Sequence, residues 1–363
     1  MKKNKNYVDL KDQPVPEGQH LLEVDDLKMY FHTEDGVVRA VDGVSYTLDR
    51  GETLGVVGES GSGKSVTAMT IMGLISMPPG KIEGGDVRYR GRSILEMTEE
   101  EMQHIRGNDI AMIFQDPMTS LNPVYKIGKQ VGEGLRLHRG YSKQEALKRA
   151  TELLDLVGIP EPEKRVNEYP HQFSGGMRQR VMIAMALACD PDILIADEHT
   201  TALDVTIQAQ IIELMQEMQE KNGNAIIMIT HDLGVVADMA DKIMVMYAGR
   251  PVEFGTAEEI FYESRHPYTW GLIRSIPEQA IEEKKPLTPI HGNPPSLMNL
   301  PEGCVFSPRC PYATDKCRKQ RPERVVTESG HYSACHYSGD PEFLKNAPET
   351  SRTRKDSKKG GEA

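Results

Sequence analysis

The sequence predicts an α/β protein built around a mostly parallel β-sheet. Two short apolar runs, at 54–57 and 193–196, are typical of strands that are buried on both faces. A glycine-rich loop follows the first run, and segments of helical character separate the strands. The predicted helices are 65–74, 206–220 and 233–240, and the further predicted strands are 225–230 and 243–247. Strands that alternate with helices imply a parallel sheet with helices packed on its faces.

Composition and charge limit the classes of protein to which the chain can belong. It has 363 residues, of which 38% are hydrophobic and 27% are charged, as is ordinary for a soluble globular protein. The formal net charge of -11 disfavours nucleic-acid binding, which needs a basic surface, and adhesion to anionic lipid. No apolar run approaches the roughly eighteen residues of a membrane span, and none follows the basic N-terminus as in a secretory signal. We therefore expect a cytoplasmic protein that reaches a membrane only through a partner.

Changes in composition along the chain divide it into four parts. Residues 1–20 are polar and are expected to form a flexible leader, and residues 21–262 form the main domain, with a helical subdomain at about 103–180. Proline, cysteine and aromatic residues become more frequent in 263–345, which we interpret as an appended, loop-rich extension. Residues 346–363 are rich in Lys, Arg, Ser and Gly and are expected to be a disordered tail.

The glycine-rich loop fits the phosphate-binding motif G-x-x-x-x-G-K-[ST] in full, from Gly58 to Ser65. Glycine lets backbone N–H groups curl around phosphates, and the helix that opens at Ser65 adds its dipole. Lys64 can reach the β- and γ-phosphates, and the Ser65 hydroxyl can bind Mg²⁺. The predicted nucleotide-binding residues of the loop are Gly58, Glu59, Ser60, Gly61, Ser62, Gly63, Lys64, Ser65 and Val66. The motif predicts a nucleotidase but does not choose between a GTPase, a kinase, a helicase and a transporter, and a glycine-rich turn without a ligand is the structural alternative.

Two carboxylates follow the second apolar run. Asp197 would hold the metal through a water molecule, and Glu198 would orient and polarise the water that attacks the γ-phosphate. The structural alternative is an acidic turn at the end of a strand. Beside a complete phosphate loop, the pair indicates a subunit that hydrolyses its nucleotide.

Further motifs, in a fixed order along the chain, point to a family. Residues 173–180 read Phe-Ser-Gly-Gly-Met-Arg-Gln-Arg and precede the second apolar run. Gln115 lies in Phe-Gln-Asp-Pro, residues 201–204 read Thr-Ala-Leu-Asp, and His231 follows Ile-Thr. Together these resemble the signature, Q-loop, D-loop and switch histidine of ABC ATPases. The resemblance covers about residues 20–262 and implies a P-loop ABC ATPase fold, with a RecA-like core, an antiparallel β subdomain and a helical subdomain, followed here by the loop-rich C-terminal extension.

The resemblance also implies roles for these residues. The signature would face the phosphate loop of a second ATPase subunit, so that ATP is held between the two. Its residues, at a predicted helix N-terminus, are Ser174, Gly175, Gly176 and Met177. The implied catalytic residues are Glu198, His231 and Gln115, the implied Mg²⁺ ligands are Ser65, Gln115 and Asp197, and the D-loop residue is Asp204. Phe31 is expected to stack on adenine, with an ordinary half-buried aromatic as the alternative, and His231 taken alone would equally suit a loop histidine bonded to backbone.

Two positions depart from the commonest ABC pattern. The fifth signature residue is Met177 rather than Gln, a variant known in the peptide-importer branch. His199 stands where that branch has Pro after Asp-Glu. Proline stiffens the turn that follows Glu198, so its loss would either slow hydrolysis mildly or have no effect.

The C-terminal part contains segments that resemble the extension of oligopeptide and dipeptide importer ATPases, at 266–269, 292–296 and 303–311. Its four cysteines, spaced C-x5-C-x6-C-x17-C, are Cys304, Cys310, Cys317 and Cys335. The spacing lacks the close C-x-x-C type of pair found in common zinc sites and matches no ferredoxin pattern, but four thiolates could hold zinc or an iron–sulfur cluster. The importer family implies a [4Fe–4S] cluster on all four positions, and zinc or unligated thiols are the alternatives. Cys189, in an apolar helical run, is expected to be a core thiol.

The resemblance implies an ATP-hydrolysing subunit of a peptide importer, peripheral at the cytoplasmic face of the cell membrane. The implied partners are a second ABC ATPase subunit, expected to be a distinct paralogue, two transmembrane permease subunits and an extracytoplasmic solute-binding protein, with no nucleic acid. The same motor could serve nickel or glycoside import. A soluble ABC ATPase of translation or DNA repair is the rival from another class, although the chain shows neither a second cassette nor a long coiled coil. A slow, regulatory subunit with the cluster as a redox sensor is a third hypothesis, supported only by His199.

Overall fold

The computed structural model describes residues 10–11, 13–116, 120–198, 205–276 and 289–348. The strands are β1 (Leu22–Thr33), β2 (Gly36–Leu48), β3 (Thr53–Val57), β4 (Gly80–Tyr89), β5 (Arg92–Ser93), β6 (Ile110–Ile113), β7 (Ile193–Asp197), β8 (Ala225–Thr230), β9 (Lys242–Tyr247), β10 (Arg250–Thr256), β11 (Val325–Val326) and β12 (Tyr332–Ser333). The helices are α1 (Lys64–Ile71), α2 (Glu99–Ile105), α3 (Ile127–Val131), α4 (Glu133–His138), α5 (Lys143–Leu156), α6 (Pro162–Arg165), α7 (Gly175–Leu187), α8 (Val205–Asn222), α9 (Leu233–Ala237), α10 (Ala257–Tyr262), α11 (Pro267–Ile273), α12 (Asp315–Lys319) and α13 (Pro341–Leu344).

An eight-stranded sheet with the order β11-β12-β10-β9-β3-β8-β7-β6 forms the centre of the molecule. The five strands from β9 to β6 run parallel to one another, whereas β10, β12 and β11 continue the sheet in antiparallel pairing. Every residue of β3, β7 and β8 is buried, as expected for parallel strands that are covered on both faces. The parallel α/β core predicted from the sequence is therefore confirmed.

A second, antiparallel sheet with the order β2-β1-β4-β5 packs on one side of the central sheet. Its apolar side chains share a core cluster with Leu54 and Val56 of β3. The next residue, Val57, belongs instead to a second cluster that also contains the helices α3, α5 and α7. Since successive side chains of a strand point to opposite faces, β3 lies between the antiparallel sheet and the helical layer.

One strand lies where the sequence predicts helix. β6, at Ile110–Ile113, falls inside the range 103–180 and pairs with β7 at the edge of the central sheet. All four of its residues are buried. An apolar run of four residues does not show whether its period is that of a helix or that of a strand, so only the pairing with β7 reveals the strand.

The extension is less separate than its composition predicts. Its strand β12 pairs with β10, with Tyr332 opposite Phe254, and so continues the central sheet. Tyr268 and Phe306 are buried in the same cluster as the main domain. At the other end of the chain Leu10, in the predicted leader, is 5% exposed and joins the core beside the antiparallel sheet. Most of the predicted tail, from 349 onwards, lies outside the described residues.

Within the described part of the chain, no helix is both long enough and apolar enough to cross a membrane.

Candidate active site

The phosphate loop connects the end of β3 to the start of α1 and depends on glycine at both ends. Gly58 has φ +153° and Gly63 has φ +101°. A Cβ atom at Gly58 would lie 2.2 Å from the carbonyl oxygen of Met246, and one at Gly63 would lie 2.3 Å from that of Ala40. Only glycine lets the loop pass this close to the neighbouring backbone, so the shape of the loop depends on these two positions.

Lys64 lies inside the loop that precedes it. Its Nζ donates to the carbonyl oxygens of Gly58 (2.6 Å) and Glu59 (3.0 Å), and the side chain is 4% exposed. Burial lowers the pKa of Lys64, while the nearby carboxylates, with Glu198 first among them, act in the opposite direction. A buried ammonium whose partners are backbone carbonyls can exchange them for phosphate oxygens, which are stronger acceptors for a cation.

The next residue, Ser65, meets the end of β7. Its hydroxyl donates to Oδ1 of Asp197 at 2.9 Å, and Asp197 is 4% exposed. Burial raises the pKa of Asp197, and the hydrogen bond from Ser65 opposes that shift. A hydroxyl and a carboxylate side by side supply the hard oxygen donors that Mg²⁺ prefers, so the residues present fit the predicted metal position.

Gln115, Glu198 and His231 come together at one edge of the central sheet. They follow β6, β7 and β8, and the carboxyl ends of parallel strands lie on the same side of a sheet. Nε2 of Gln115 donates to Oε2 of Glu198 at 2.5 Å, and Nδ1 of His231 lies 3.6 Å from Oε1 of Glu198. Oε1 of Glu198 also lies 4.0 Å from Nζ of Lys64, which belongs to the phosphate loop. The structure therefore gathers all three predicted catalytic residues beside the phosphate loop.

Glu198 is held in an unusual backbone conformation. Its φ is +42°, in the left-handed region, and its N–H donates to the carbonyl oxygen of Ile229 at 2.9 Å. The side chain is 14% exposed. Non-glycine residues in this region cost free energy and collect at functional sites, where the surrounding structure holds them. The sharp turn after β7 is what aims the carboxylate at the phosphate loop.

The signature residues lie at the start of a helix, α7, as predicted, and this helix comes well after the phosphate loop in the sequence. Ser174 caps α7, and its Oγ accepts a hydrogen bond from the N–H of Met177 at 3.3 Å. Ser174 and Gly175 are exposed, Gly176 is half-buried, and Met177 packs against the helical core cluster. The start of this thirteen-residue helix is therefore accessible to solvent at Ser174 and Gly175.

The remaining predicted nucleotide-binding residues fall into two groups. Ser60 and Gly61 are exposed at the tip of the loop, whereas Ser62 is buried and its Oγ has no hydrogen-bond partner among the described residues. Phe31 and Val66 are half-buried and pack against the core cluster beside the antiparallel sheet, Phe31 from β1 and Val66 from α1. His199 and Asp204 lie outside the described residues.

The four cysteines of the extension line one apolar cavity. They share it with several aromatic side chains, among them Phe306 and Tyr312. Burial raises the pKa of the Cys310 thiol to about 11 and that of Cys335 to about 12. Among the described residues, however, no three His, Cys, Asp or Glu side chains are arranged so that they could hold a metal ion. Cys189 is buried in the helical core cluster instead, as expected of a core thiol.

The sequence did not reveal which residues of the extension contact the phosphate loop. Arg309 and Tyr268, both in the extension, contact Glu59 in the loop. Both lie in segments singled out for their resemblance to importer extensions, but no local pattern shows that they reach a loop more than 200 positions earlier.

Comparisons with known proteins agree with this geometry. A family model described as ABC transporter matches residues 41–201, and one described as the C-terminal region of the oligopeptide/dipeptide transporter matches 252–317. The chain is 58% identical over 312 residues to the oligopeptide transport ATP-binding protein OppD of Bacillus subtilis, covering 86% of this chain and 87% of the relative. The chain belongs to the ABC transporter family, in its oligopeptide/dipeptide branch. A second relative of this ABC transporter subunit is the dipeptide transport ATP-binding protein DppD of Escherichia coli, 52% identical over 320 residues, which are 88% of this chain and 97% of that one.

Solved structures confirm the ABC ATPase fold and its activity class. The ATP-binding cassette MJ0796, in a dimeric post-hydrolysis state with ADP and Pi, superposes with a TM-score of 0.60 at 28% identity, over 65% of this chain and 98% of that one. The component cbiO1 of Clostridium perfringens, part of a cbiONQ transporter, gives 0.56 at 29% identity over 68% and 92%. This ABC transporter subunit is accordingly an ATPase.

Proposed function

We propose that this chain is the ATP-hydrolysing subunit of an importer of oligopeptides or dipeptides, and that it works at the cytoplasmic face of the cell membrane. The observation that carries the proposal is the match of residues 252–317 to the oligopeptide/dipeptide C-terminal region, in a chain whose residues 41–201 match the ABC transporter family. Relatives named for oligopeptide or dipeptide transport support it at 52–58% identity.

The site geometry supports a division of labour among its residues. Glu198 orients and polarises the attacking water, and Gln115, hydrogen-bonded to it, holds it in place. His231 lies beside the same carboxylate and would contact the γ-phosphate of bound ATP. Ser65, Asp197 and Gln115 would hold Mg²⁺, which would neutralise the negative charge of the bound phosphates.

The exposed signature supports a composite site. The N-terminus of a helix suits an anion, and at the start of α7 Ser174 and Gly175 are exposed to solvent. The γ-phosphate bound by the loop of a second ATPase subunit is the proposed ligand, with Phe31 stacking on adenine and Asp204 in the D-loop between subunits. Two permease subunits and an extracytoplasmic solute-binding protein complete the proposed transporter, without nucleic acid.

Uptake by the assembled transporter tests this function. The chain would be reconstituted with its co-purifying membrane subunits and binding protein, and loaded with dipeptides, longer oligopeptides, Ni²⁺ or glycosides. ATP-dependent uptake of peptides, absent in the Lys64→Ala variant, is the expected result. Uptake of Ni²⁺ or glycosides alone would replace the peptide assignment, and failure to co-purify with any membrane subunit would favour a soluble ABC ATPase.

We further propose that the four-cysteine cavity holds a [4Fe–4S] cluster, with zinc as the alternative. Four thiols around one cavity, two of them buried and two half-buried, are a soft donor set suited to either centre. Since no three of them are at ligand spacing, binding requires the thiols to move towards the centre of the cavity. A bound centre would supply a crosslink between segments distant in the chain, because Cys304 and Cys335 lie 31 positions apart.

Analysis of anaerobically purified protein distinguishes the two centres. Iron and acid-labile sulfide near four per chain, with visible absorbance, is expected for the cluster. Stoichiometric zinc without visible absorbance would replace the cluster by zinc, and the absence of both metals would leave four unligated thiols.

A further inference from the structure

The second residue of the phosphate loop turns its side chain away from the nucleotide site and towards the extension. Oε2 of Glu59 accepts from Nη1 of Arg309 at 2.5 Å, and Oε1 accepts from Nη2 at 2.9 Å. The Arg309 side chain is 4% exposed and that of Glu59 is 30% exposed. Two parallel hydrogen bonds between a guanidinium and a carboxylate form the strongest and most directional kind of ion pair. This pair joins the phosphate loop to a residue 250 positions away.

Contacts with residues other than Glu59 also hold the Arg309 side chain in place. Its Nε donates to the carbonyl oxygen of His291 at 2.9 Å, and its Nη2 also donates to that of Ile290 at 3.1 Å. Nη1 lies 3.3 Å from the hydroxyl of Tyr247, at the end of β9. The hydrogen bonds to Glu59 raise the pKa of Arg309, so the guanidinium stays charged. An arginine whose donors are held by backbone carbonyls presents a rigid fork and loses little freedom when it binds a carboxylate.

The backbone of Glu59 is held by the extension as well. Its N–H donates to the hydroxyl of Tyr268 at 2.8 Å, and Tyr268 is fully buried. The Tyr268 ring packs on Tyr247 with centroids 4.6 Å apart and on Phe306 at 5.3 Å. The extension therefore fixes both the side chain and the main chain of Glu59, next to the carbonyl oxygen that accepts from Lys64.

The negative charge of Glu59 connects this contact to the binding of the nucleotide. Glu59 places a carboxylate on a loop whose ligand is a polyanion. Paired with Arg309, that carboxylate is neutralised and turned outward; unpaired, it would repel the triphosphate in a partly buried site where screening is weak. We propose that Arg309 is a positioning residue for ATP binding, which neutralises and orients Glu59 and so makes the affinity of the phosphate loop depend on the extension. The proposal needs neither the peptide cargo nor a metal at the cysteines.

Four variants of the full-length chain test this role: Arg309→Gln, Arg309→Lys, Glu59→Gln and the double variant Glu59→Gln/Arg309→Gln. Arg309→Gln is expected to raise the Kd for MgATP by about tenfold, the low end for a lost charge-assisted pair. Glu59→Gln keeps the main chain of the phosphate loop and is expected to change the Kd by less than about threefold, because it has no carboxylate that Arg309 must neutralise. The double variant should then bind ATP as Glu59→Gln does, which is tighter than Arg309→Gln alone.

Ionic strength separates this role from a merely structural one. Salt screens the repulsion between an unpaired Glu59 and ATP, so the gap in Kd between Arg309→Gln and the wild type should narrow as salt is raised. The matched control is Arg318→Gln, which removes an exposed arginine of the same extension that pairs with Asp315 at 3.1 Å. Its Kd should equal that of the wild type. Because Cys310 follows Arg309, iron and zinc content is measured in every variant and should be unchanged.

Calorimetric titration with MgATP gives outcomes that decide the proposal. A double variant as weak as Arg309→Gln, or a deficit that does not respond to salt, would show that Arg309 acts only on the fold. An unchanged Kd in Arg309→Gln would equally overturn the role. Should Arg309→Gln fail to fold, Arg309→Lys carries the test, because it keeps the charge and loses the fork that orients Glu59: a Kd about threefold higher supports the orienting role, and an unchanged Kd refutes it.

Discussion

Replacement of Glu198 by Gln removes one negative charge from the site while keeping the length of the side chain. The carboxamide oxygen of Gln can still accept from Nε2 of Gln115, which lies 2.5 Å from Glu198 in the wild type. What is lost is the acceptor for the proton of the attacking water. General-base catalysis contributes about 10²- to 10⁴-fold, so we expect kcat to fall by that factor, equivalent to a barrier higher by about 3 to 5 kcal/mol.

The same change should leave ATP affinity intact or improve it. Oε1 of Glu198 lies 4.0 Å from Nζ of Lys64, so the carboxylate lies close to the expected position of the γ-phosphate. Removing its charge lowers the repulsion that ATP meets. A Kd for MgATP at or below that of the wild type, together with a collapsed kcat, would separate catalysis from binding.

Single-turnover hydrolysis of labelled ATP by the assembled transporter, with calorimetry for affinity, measures both quantities. The control is Glu152→Gln, which removes a carboxylate that is 48% exposed and lies on α5, outside the gathered catalytic residues. Its kcat should match the wild type. A Glu198→Gln enzyme that keeps more than about a tenth of wild-type kcat would refute the assignment of Glu198 as the proton acceptor.

Four further changes have defined outcomes. Ser65→Ala should raise the Mg²⁺ concentration needed for half-maximal hydrolysis by about tenfold or more, through loss of one charge-assisted contact, whereas Ser65→Thr should not; titration of activity with Mg²⁺ checks this. Gly63→Ala should abolish measurable ATP binding, because its Cβ would meet a β2 carbonyl oxygen at 2.3 Å, and tight binding would contradict the geometry. Cys335→Ser should lower both the metal content and the Tm, while Cys189→Ser leaves metal content unchanged. His199→Pro should raise turnover by about two- to fivefold, the equivalent of 0.4–1 kcal/mol of restored rigidity, and an unchanged turnover would remove the idea of impairment.

The catalytic edge could be predicted from sequence because each part of it is local. Glu198 and His231 each follow a strand that the sequence predicts, and parallel strands end on one side of a sheet, so both were expected at the same edge. Gln115 was placed with them only by the resemblance of its motif to the Q-loop, because β6 was not predicted as a strand. The phosphate loop likewise carries its glycines and its lysine within eight residues, from Gly58 to Ser65. Motifs of this kind reveal their chemistry because the backbone geometry that they require is fixed by neighbouring residues.

The features that sequence reasoning missed depend on contacts between distant segments. β6 is too short to show a period, and only its pairing with β7 makes it a strand. The union of the extension with the main sheet rests on pairs such as Glu253 with Ser333, 80 positions apart. The cysteines were expected to share a site and do line one cavity, but their distances follow from packing that no spacing pattern encodes.

Strand order explains why the extension can act on the phosphate loop at all. β3, which carries the loop, lies between β8 and β9. β8 brings His231 to one side of the loop, and β9 brings Tyr247 to the other, where the N–H of Gly249 donates to the carbonyl oxygen of Ser62 at 2.9 Å. Since the extension packs on Tyr247 and continues the sheet beyond β10, it supports the loop from the side opposite the catalytic residues. A change in the extension can therefore alter ATP affinity without touching the groups that hydrolyse ATP, and this separation is what the Arg309 and Glu198 variants measure independently.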